Sequence, residues 1–417
     1  MKVAIISDTH FGDPQCTLID FKTGNKGKKY DAFKAATGIG NDFLVLLGDV
    51  FDFSIASYDV AYEQAKKFFQ LVKDEGIAQK IIYVPGNHDF EFWHTVEYEV
   101  NVISQIKKGA APRQFRWSVP GILDLRANQG TFQLHGVSAH ANGEYGGLFL
   151  DNITGGAAPF PFYVAYPNLY IVTDNGVILC THGHYLDGYW AFMGELAIAI
   201  ADDEMPNNVT GHLNIQEVVS VNNPLNQLAC SGIGQSGPLR EVALRIQKEA
   251  KAGNISTIEK FIEKGGKYAD SLTDYSWYNP REWMADAVEG AVKKVALWGL
   301  NKMKNVKTAR YTESFLKDKS VQARFRRYFD SSAIEWENIK QTIPAPLPKI
   351  ESVVFGHTHE PIGPGGQPLK MYINERTVTI SNTGGWLDEP DNGNLVFCGA
   401  EVIICETGSS LSSKPVR

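Results

Sequence analysis

The stretch Phe43-Leu-Val-Leu-Leu-Gly-Asp-Val-Phe-Asp52 determines the fold class that the sequence predicts. It opens with five consecutive apolar residues, and a run this short and aliphatic is typical of a strand buried on both faces. Glycine and aspartate follow at once, so Asp49 lies at the carboxyl end of that strand. Open α/β sheets bind their ligands at this edge. The stretch therefore predicts an α/β protein with a polar site at one edge of its sheet.

Four other segments repeat this arrangement of an apolar run followed by polar side chains. The runs cover residues 3–6, 81–84, 177–180 and 352–355. The motifs that follow them are Asp8-Thr-His10, Gly86-Asn-His-Asp89, His182-Gly-His184 and Gly356-His-Thr-His359. Carboxylate, carboxamide and imidazole groups bind divalent transition metals, and pairs of such ions bind phosphate. Five strand ends of this kind in one chain predict a metal site for phosphate chemistry.

With these five motifs, which span positions 8 to 359, the chain resembles the calcineurin-like metallophosphoesterases. That family contains dinuclear-metal phosphatases, phosphodiesterases and nucleases. The resemblance implies a four-layer α/β/β/α sandwich with an inserted, mainly helical cap. It also implies a hydrolase of phosphoester or pyrophosphate bonds, in which metal-bound hydroxide attacks phosphorus in line. The cofactors would be two divalent ions of manganese, iron or zinc, and the sequence does not distinguish these metals.

The family pattern implies a metal ligand at seven positions of this sequence. The seven are Asp8, His10 and His359 on one ion, Asn87, His182 and His357 on the other, and Asp49 as a bridge between them. A bridging carboxylate is expected because two dications about 3.5–4 Å apart repel strongly unless a shared anion lies between them.

His88 has a different role in the family pattern, because it follows the ligand Asn87 and faces the phosphate. Its imidazole would donate a hydrogen bond to a phosphoryl oxygen or protonate the leaving group. A purely structural, hydrogen-bonded histidine is the alternative. We interpret Asp52 and Asp89 as groups that orient His88 or a ligand imidazole, since metal-bound histidines usually donate their other N–H to an oxygen. His88 and Asp52 are therefore the predicted catalytic residues.

Within the family, four local phrases are similar to the UDP-2,3-diacylglucosamine hydrolases of lipid A synthesis. They lie at residues 48–53, 86–90, 182–187 and 382–386. That group typically reads His-Gly-Asp where this chain reads His182-Gly-His184. The match favours His182 as the ligand and leaves His184 to face the substrate, or to replace His182 if the loop is shifted. The similarity implies a phosphorylated small molecule or a lipid nucleotide as the substrate.

The chain of 417 residues exceeds the usual size of a single domain. We predict a core over 1–184 and 346–406, interrupted by an inserted helical cap over 185–345 that stands above the metal edge. The helical pattern is clearest between 239 and 328, and Pro344-Ala-Pro-Leu-Pro348 is typical of an extended linker. The serine-rich tail at 407–417 is expected to be disordered.

Charge is unevenly distributed along the chain. The segment from Lys293 to Arg327 contains eleven basic and two acidic residues, a net charge of +9, whereas the whole chain carries −7. Such segregation can attract an anionic substrate or an anionic membrane surface. We therefore predict that Arg324, Arg326 and Arg327 bind substrate, with an ordinary solvated helix face as the alternative.

Composition narrows the class of protein further. Five scattered cysteines without a C-x-x-C pair argue against a disulfide framework or a structural zinc site. We expect no signal peptide, because Met1-Lys2 leads directly into the strand that carries Asp8, and no stretch has about 18 consecutive apolar residues. We therefore expect a cytoplasmic enzyme, with peripheral membrane contact left open. The acidic net charge disfavours nucleic acid as a partner, although a nuclease or cyclic-nucleotide phosphodiesterase is the alternative enzyme. A non-catalytic binding scaffold is the alternative outside enzymes, and the complete ligand set disfavours it. The oligomeric state stays open.

Overall fold

The computed structural model describes residues 1–126, 131–134, 147–153, 161–188, 190–202, 213–227, 312–341, 347–362, 366–373, 375–391 and 394–417. These residues all belong to one compact unit of the chain. They form two large mixed sheets, one small hairpin and several helices. The predicted α/β fold class is confirmed.

The described strands alternate with helices along much of the chain. In chain order the strands are β1 (Lys2–Ile6), β2 (Asn41–Leu46), β3 (Ala78–Tyr83), β4 (Gly121–Asp124), β5 (Thr131–Leu134), β6 (Phe162–Val164), β7 (Asn168–Thr173), β8 (Gly176–Thr181), β9 (Ile350–Phe355), β10 (Leu369–Ile373), β11 (Arg376–Asn382), β12 (Asp388–Asp391), β13 (Asn394–Phe397), β14 (Ala400–Glu406) and β15 (Ser412–Val416). The helices are α1 (Tyr30–Thr37), α2 (Tyr58–Asp74), α3 (Glu91–Tyr98), α4 (Ser104–Lys107), α5 (Gly147–Ile153), α6 (Phe192–Asp202), α7 (Ile215–Asn226), α8 (Thr312–Lys317) and α9 (Lys319–Lys340).

Two sheets form the centre of the molecule. The first has the strand order β15-β14-β1-β2-β3-β6, and the four strands from β1 to β6 in this order pair in parallel. The second has the order β10-β11-β9-β8-β7-β4-β5, with β8 and β9 parallel. One continuous apolar core contains residues of both sheets, so the sheets pack against each other. Nearly every residue of β1, β2 and β8 is buried, as the apolar runs predict.

Helices cover the outer faces of both sheets. α1 and α2 pack on the first sheet, and α2 turns Ala61, Phe68 and Val72 into the core. α9 covers the second sheet, where Trp336 stacks on Tyr170 with ring centroids 5.0 Å apart. The resulting order of layers is α/β/β/α. Among the helices that the structure describes, none combines the length and the apolar character needed to cross a membrane.

The predicted boundaries of the cap require correction. α9 lies inside the predicted interval 185–345, yet its buried side chains belong to the same apolar core as β7 and β8. The hydroxyl groups of Tyr328 on α9 and Thr181 on β8 lie 3.0 Å apart. The helical pattern could not reveal this, because an amphipathic stripe does not identify the surface that it covers. Residues 228–311 of the predicted cap lie outside the described residues.

The prediction of a disordered tail at 407–417 is wrong for its last residues. Ser412–Val416 forms β15, which pairs antiparallel with β14. Val416 is buried, and the Arg417 guanidinium donates to Glu401 Oε1 at 2.8 Å. A serine-rich composition suggested disorder, but the free edge of β14 supplies backbone partners that composition cannot show.

Candidate metal centre

The five motifs meet at one edge of the two sheets. Asp8, Asp49 and Asn87 follow β1, β2 and β3 of the first sheet, and His182 and His357 follow β8 and β9 of the second. Two hydrogen bonds link the motifs across the sheets. Nδ1–H of His182 donates to the Leu47 carbonyl at 2.9 Å, and the backbone N–H of His357 donates to the Asp8 carboxylate at 3.0 Å. Ligands distant in sequence are therefore held together by the fold.

Five of the predicted ligands adopt a left-handed backbone conformation. They are Asp8 (φ 52°), His10 (φ 47°), Asp49 (φ 51°), His357 (φ 69°) and His359 (φ 54°). Among the described residues only Glu375 is another non-glycine residue with positive φ. This conformation costs about 1–2 kcal/mol per residue, and such strain clusters at functional sites. The backbone is thus shaped to present these side chains rather than for stability.

Two glycines of the motifs allow the loops to approach each other closely. A Cβ atom on Gly86 would collide with the carboxylate and the backbone of Asp49, and one on Gly356 would collide with Ser7 and Asp8. Neither neighbour can withdraw, because both are part of the same site. The glycines therefore belong to the motifs for steric reasons.

The first group of candidate ligands consists of Asp8, His10, Asp49 and His359, with all ligand atoms within 4.8 Å of one another. The Nε2 atoms of His10 and His359 lie 2.9 Å apart. His359 Nε2 is 3.4 Å from Asp8 Oδ1, and His10 Nε2 is 3.7 Å from Asp49 Oδ2.

The second group contains Asp49, His182 and His357, and Asn87 joins it. Asn87 Oδ1 lies 3.1 Å from His182 Nε2 and 3.0 Å from His357 Nδ1. Asp49 Oδ2 is 3.1 Å from His182 Nε2. Asp49 therefore stands in both groups, which is the position of a bridging ligand.

The outward ring nitrogens of these histidines are held by oxygen acceptors. Nδ1–H of His10 donates to Asp52 Oδ2 at 2.8 Å, and Nδ1–H of His359 donates to Glu389 Oε1 at 2.7 Å. Nε2 of His357 lies 3.3 Å from Asp187 Oδ2. In neutral imidazoles this leaves the inner nitrogens with lone pairs that face one another, as in histidines that bind metals. Two lone pairs 2.9 Å apart repel unless a cation lies between them.

The electrostatics of this edge favour positive charge. Burial lowers the pKa of His88 and His182, but neighbouring carboxylates outweigh it. Asp52 and Asp49 raise the pKa of His88 to about 10, and Asp49 raises that of His182 to about 9. Burial would raise the pKa of Asp49, yet His182 and His88 hold it well below its usual range. Asp49 Oδ2 is also buried without a hydrogen bond of good geometry in the described structure. These residues fit divalent cations.

Asp52 lies between two imidazoles. Its Oδ2 accepts from His10, and its Oδ1 accepts from Nδ1–H of His88 at 2.9 Å. His10, Asp52 and His88 form a third group with ligand spacing. However, Nε2 of His10 faces His359 and Asp49 in the first group, which leaves its Nδ1–H to donate to Asp52. The structure thus places Asp52 where it orients His10 and His88 together.

The interpretation of Asp89 needs correction. Its carboxylate accepts hydrogen bonds from the backbone N–H groups of Val50 at 2.6 Å, Phe51 at 3.2 Å and Gly86 at 2.6 Å. Asp89 therefore holds the second and third motif loops together instead of orienting an imidazole.

His184 is buried beside the second group, and neither ring nitrogen has a hydrogen-bond partner among the described residues. Its ring packs on Tyr185 with centroids 3.9 Å apart. Burial, together with His182 and His357, holds its pKa well below the usual value. His182, not His184, has its nitrogen among the candidate ligand atoms.

The predicted substrate-binding arginines have different surroundings. Arg324 is buried, donates to the Leu186 carbonyl at 2.7 Å and lies 3.5 Å from Glu195. Arg327 pairs with Glu195 at 2.6 Å, whereas Arg326 is exposed. Arg324 and Arg327 thus join α9 to α6, which corrects the prediction that they face a substrate. The basic stretch before residue 312 lies outside the described residues.

A family model described as calcineurin-like phosphoesterase matches residues 1–216, which is more than half of the 417 residues. The chain belongs to the calcineurin-like phosphoesterase family. The match covers four of the five motifs of this phosphoesterase, and the fifth motif, at 356–359, reaches the same edge through β9. No curated protein matches the chain.

Sequence reasoning missed two residues beside the centre. Glu389 on β12 accepts the Nδ1–H of His359, and no motif near Glu389 in the sequence indicates this role. Trp190 lies near His88, with ring centroids 6.4 Å apart. Trp190 lies shortly after the fourth motif in the sequence, but it is not part of that motif. Both become visible only when separate loops are brought together.

Glu389→Gln should weaken metal binding at the first group by about 10–100-fold, because loss of an outer carboxylate partner lowers the basicity and order of a ligand histidine. Titration of metal-depleted protein with Mn²⁺ or Zn²⁺ measures the change. Glu351→Gln, at an exposed position on β9, is the matched control and should bind like the parent. Unchanged affinity in Glu389→Gln would show that this carboxylate does not support the metal centre.

Proposed function

We propose that this protein hydrolyses phosphoester or pyrophosphate bonds with two divalent cations. Asp8, His10 and His359 would hold one, Asn87, His182 and His357 the other, and Asp49 would bridge them. One observation carries the proposal: two sets of inward-facing nitrogen and oxygen atoms share the buried Asp49 carboxylate. Family membership supports a metal-dependent phosphoesterase.

The chemistry divides between the cations and the side chains. When bound, the cations would polarise the phosphoryl oxygens and activate a water for attack on phosphorus. His88 would hold a proton for the leaving oxygen or donate a hydrogen bond to a phosphoryl oxygen. Asp52 fixes the His88 ring through Nδ1, so the Nε2 atom is the one available to the substrate. Asp52 also accepts the Nδ1–H of His10, so one carboxylate orients both a proposed metal ligand, His10, and the proposed proton donor, His88.

The donor set indicates a class of metal rather than one element. Imidazole nitrogen with carboxylate and carboxamide oxygen suits manganese, iron and zinc, and it lacks the thiolates that soft metals prefer. We propose one of these three metals in both positions, with the choice left to metal content measured in the isolated protein.

The substrate is less constrained than the reaction. The phrase at 382–386 that resembles the UDP-2,3-diacylglucosamine hydrolases supports the loops: Asn382 donates to the Gly356 carbonyl at 2.9 Å, and Trp386 is buried against Phe33. Phe51, Phe53 and Phe92, which lie in or just after the second and third motifs, are buried in the core. These residues therefore support the fold, and a lipid-nucleotide substrate stays a proposal beside simpler phosphoesters.

Metal removal tests the proposal. Metal-depleted protein should lose hydrolysis of every ester, and Mn²⁺, Fe²⁺ or Zn²⁺ should restore it. The panel contains p-nitrophenyl phosphate as a monoester, bis-p-nitrophenyl phosphate as a diester, a UDP-sugar as a pyrophosphate and a cyclic nucleotide. The preferred substrate distinguishes phosphatase, phosphodiesterase and pyrophosphohydrolase. Two bound ions without hydrolysis of any ester would favour a binding scaffold, and full activity after depletion would refute metal dependence.

A further inference from the structure

Large apolar side chains are exposed on the helix that leaves the third motif. α3 continues through a π-helical turn, Glu99–Ile103, into α4. Tyr98, Ile103 and Ile106 are 55%, 47% and 58% exposed. The π turn holds more than four residues, so side chains five apart across it share a face, and Ile103 and Ile106 share a face by helical spacing. The three residues thus form one apolar strip.

The opposite side of the same helix anchors it in the core. Phe92, Trp93 and Val96 are buried, and Trp93 stacks on Tyr166 with centroids 5.8 Å apart. The strip is therefore the outer face of a firmly packed element. Leu148, 68% exposed, lies beside it, because its backbone N–H donates to the Glu99 carboxylate at 2.8 Å.

Basic residues extend the apolar strip. Residues 100–117 contain no aspartate or glutamate, although the whole chain carries a net charge of −7. Lys107, Lys108 and Arg113 are exposed there, and every residue from 106 to 114 is exposed. The fourth cation, Arg116, pairs with the buried Glu97 at 2.5 Å. Exposed apolar and cationic groups thus occupy one surface of an otherwise acidic protein.

We propose that this surface, formed by Tyr98, Ile103, Ile106, Lys107 and Lys108 and here called the α3–α4 face, docks on an anionic lipid bilayer. Apolar side chains flanked by lysines are the composition by which interfacial helices enter the headgroup region. Nucleic acid would use the lysines but leave the isoleucines without a partner. In a symmetric dimer the lysines of both copies would face each other, and like charges would oppose the contact.

The α3–α4 face follows the third motif closely along the chain. α3 begins at Glu91, three residues after His88. A bilayer bound at the α3–α4 face would therefore contact the helical segment that follows the third motif loop. Docking is independent of the proposed hydrolysis, since it requires neither metal nor turnover.

Vesicle co-sedimentation of the full-length protein tests the proposal. The vesicles contain phosphatidylcholine alone or phosphatidylcholine with phosphatidylglycerol, and the parent should bind only the second kind. Each lysine near an anionic surface contributes about fivefold to the partition coefficient, so Lys107→Glu/Lys108→Glu should lower it by more than about twentyfold. Ile103→Asp/Ile106→Asp should remove binding as well. Both variants should hydrolyse p-nitrophenyl phosphate like the parent in the absence of lipid, which shows that they are folded.

Matched controls replace residues of the same kind elsewhere. Ile39→Asp removes an isoleucine that is 64% exposed, and Lys370→Glu reverses an exposed lysine on β10. Both should bind vesicles like the parent. Equal binding by the α3–α4 variants, or no binding of the parent to anionic vesicles, would overturn the proposal. It would also be overturned if the isoleucine variant converts a dimer into a monomer in light scattering, or if the lysines bind a DNA duplex while vesicles are ignored.

Discussion

Asp49→Ala should abolish phosphoester hydrolysis and remove most of the bound metal. Asp49 is the one carboxylate common to both candidate ligand groups. Two dications about 4 Å apart repel by roughly 16 kcal/mol at an effective dielectric constant of about 20, so the shared anion is needed to hold them together. Replacing a ligand that belongs to only one of the two groups should remove less metal and less activity.

Elemental analysis of the purified variant, together with p-nitrophenyl phosphate hydrolysis, measures the result. Asp49 Oδ1 also accepts the backbone N–H of His88 at 2.8 Å, so the alanine variant could lose loop structure as well as charge. Asp49→Asn keeps an acceptor and removes only the charge, and it should show the same loss. Asp174→Ala, in an exposed turn, should retain metal and activity. An active Asp49→Asn protein with two ions would refute the bridging role.

The sequence predicts the ligands of this centre better than their supports. Each motif follows an apolar strand, and the ends of parallel strands meet at a sheet edge, so convergence of Asp8, Asp49 and Asn87 follows from pattern alone. Which oxygen accepts the hydrogen bond of each imidazole depends on three-dimensional proximity, which the sequence does not show. Asp52 was recognisable because it lies within a motif, whereas Glu389 comes from a separate hairpin.

The same limit explains the errors in domain organisation. The sequence shows that α9 is amphipathic, but the partner of its apolar face is β7, more than a hundred residues away. Arg324 looked like part of a solvated basic stretch because its partner Glu195 lies on another helix. Local pattern predicts which residues are buried or charged, and long-range packing decides what they contact.

His88→Ala should retain both metals yet lose turnover by roughly 10²–10⁴-fold, the usual contribution of a positioned acid or base. The His88 ring is held by Asp52 through Nδ1 and belongs to neither of the two ligand groups that share Asp49. Metal content and the rate with saturating substrate are measured on the same preparation. His94→Ala is the matched control, since His94 packs on Phe115 and Trp117 away from the ligands and should be active.

The leaving group distinguishes the two roles open to His88. p-Nitrophenolate departs readily without a proton, whereas the alkoxide of an alkyl phosphate needs one. If His88 protonates the leaving oxygen, His88→Ala should slow the alkyl ester far more than p-nitrophenyl phosphate. If His88 instead donates a hydrogen bond to a phosphoryl oxygen, both substrates should slow equally, because that contact is the same in each. Parallel loss of metal and activity would contradict both roles and place His88 among the residues that hold the metal centre.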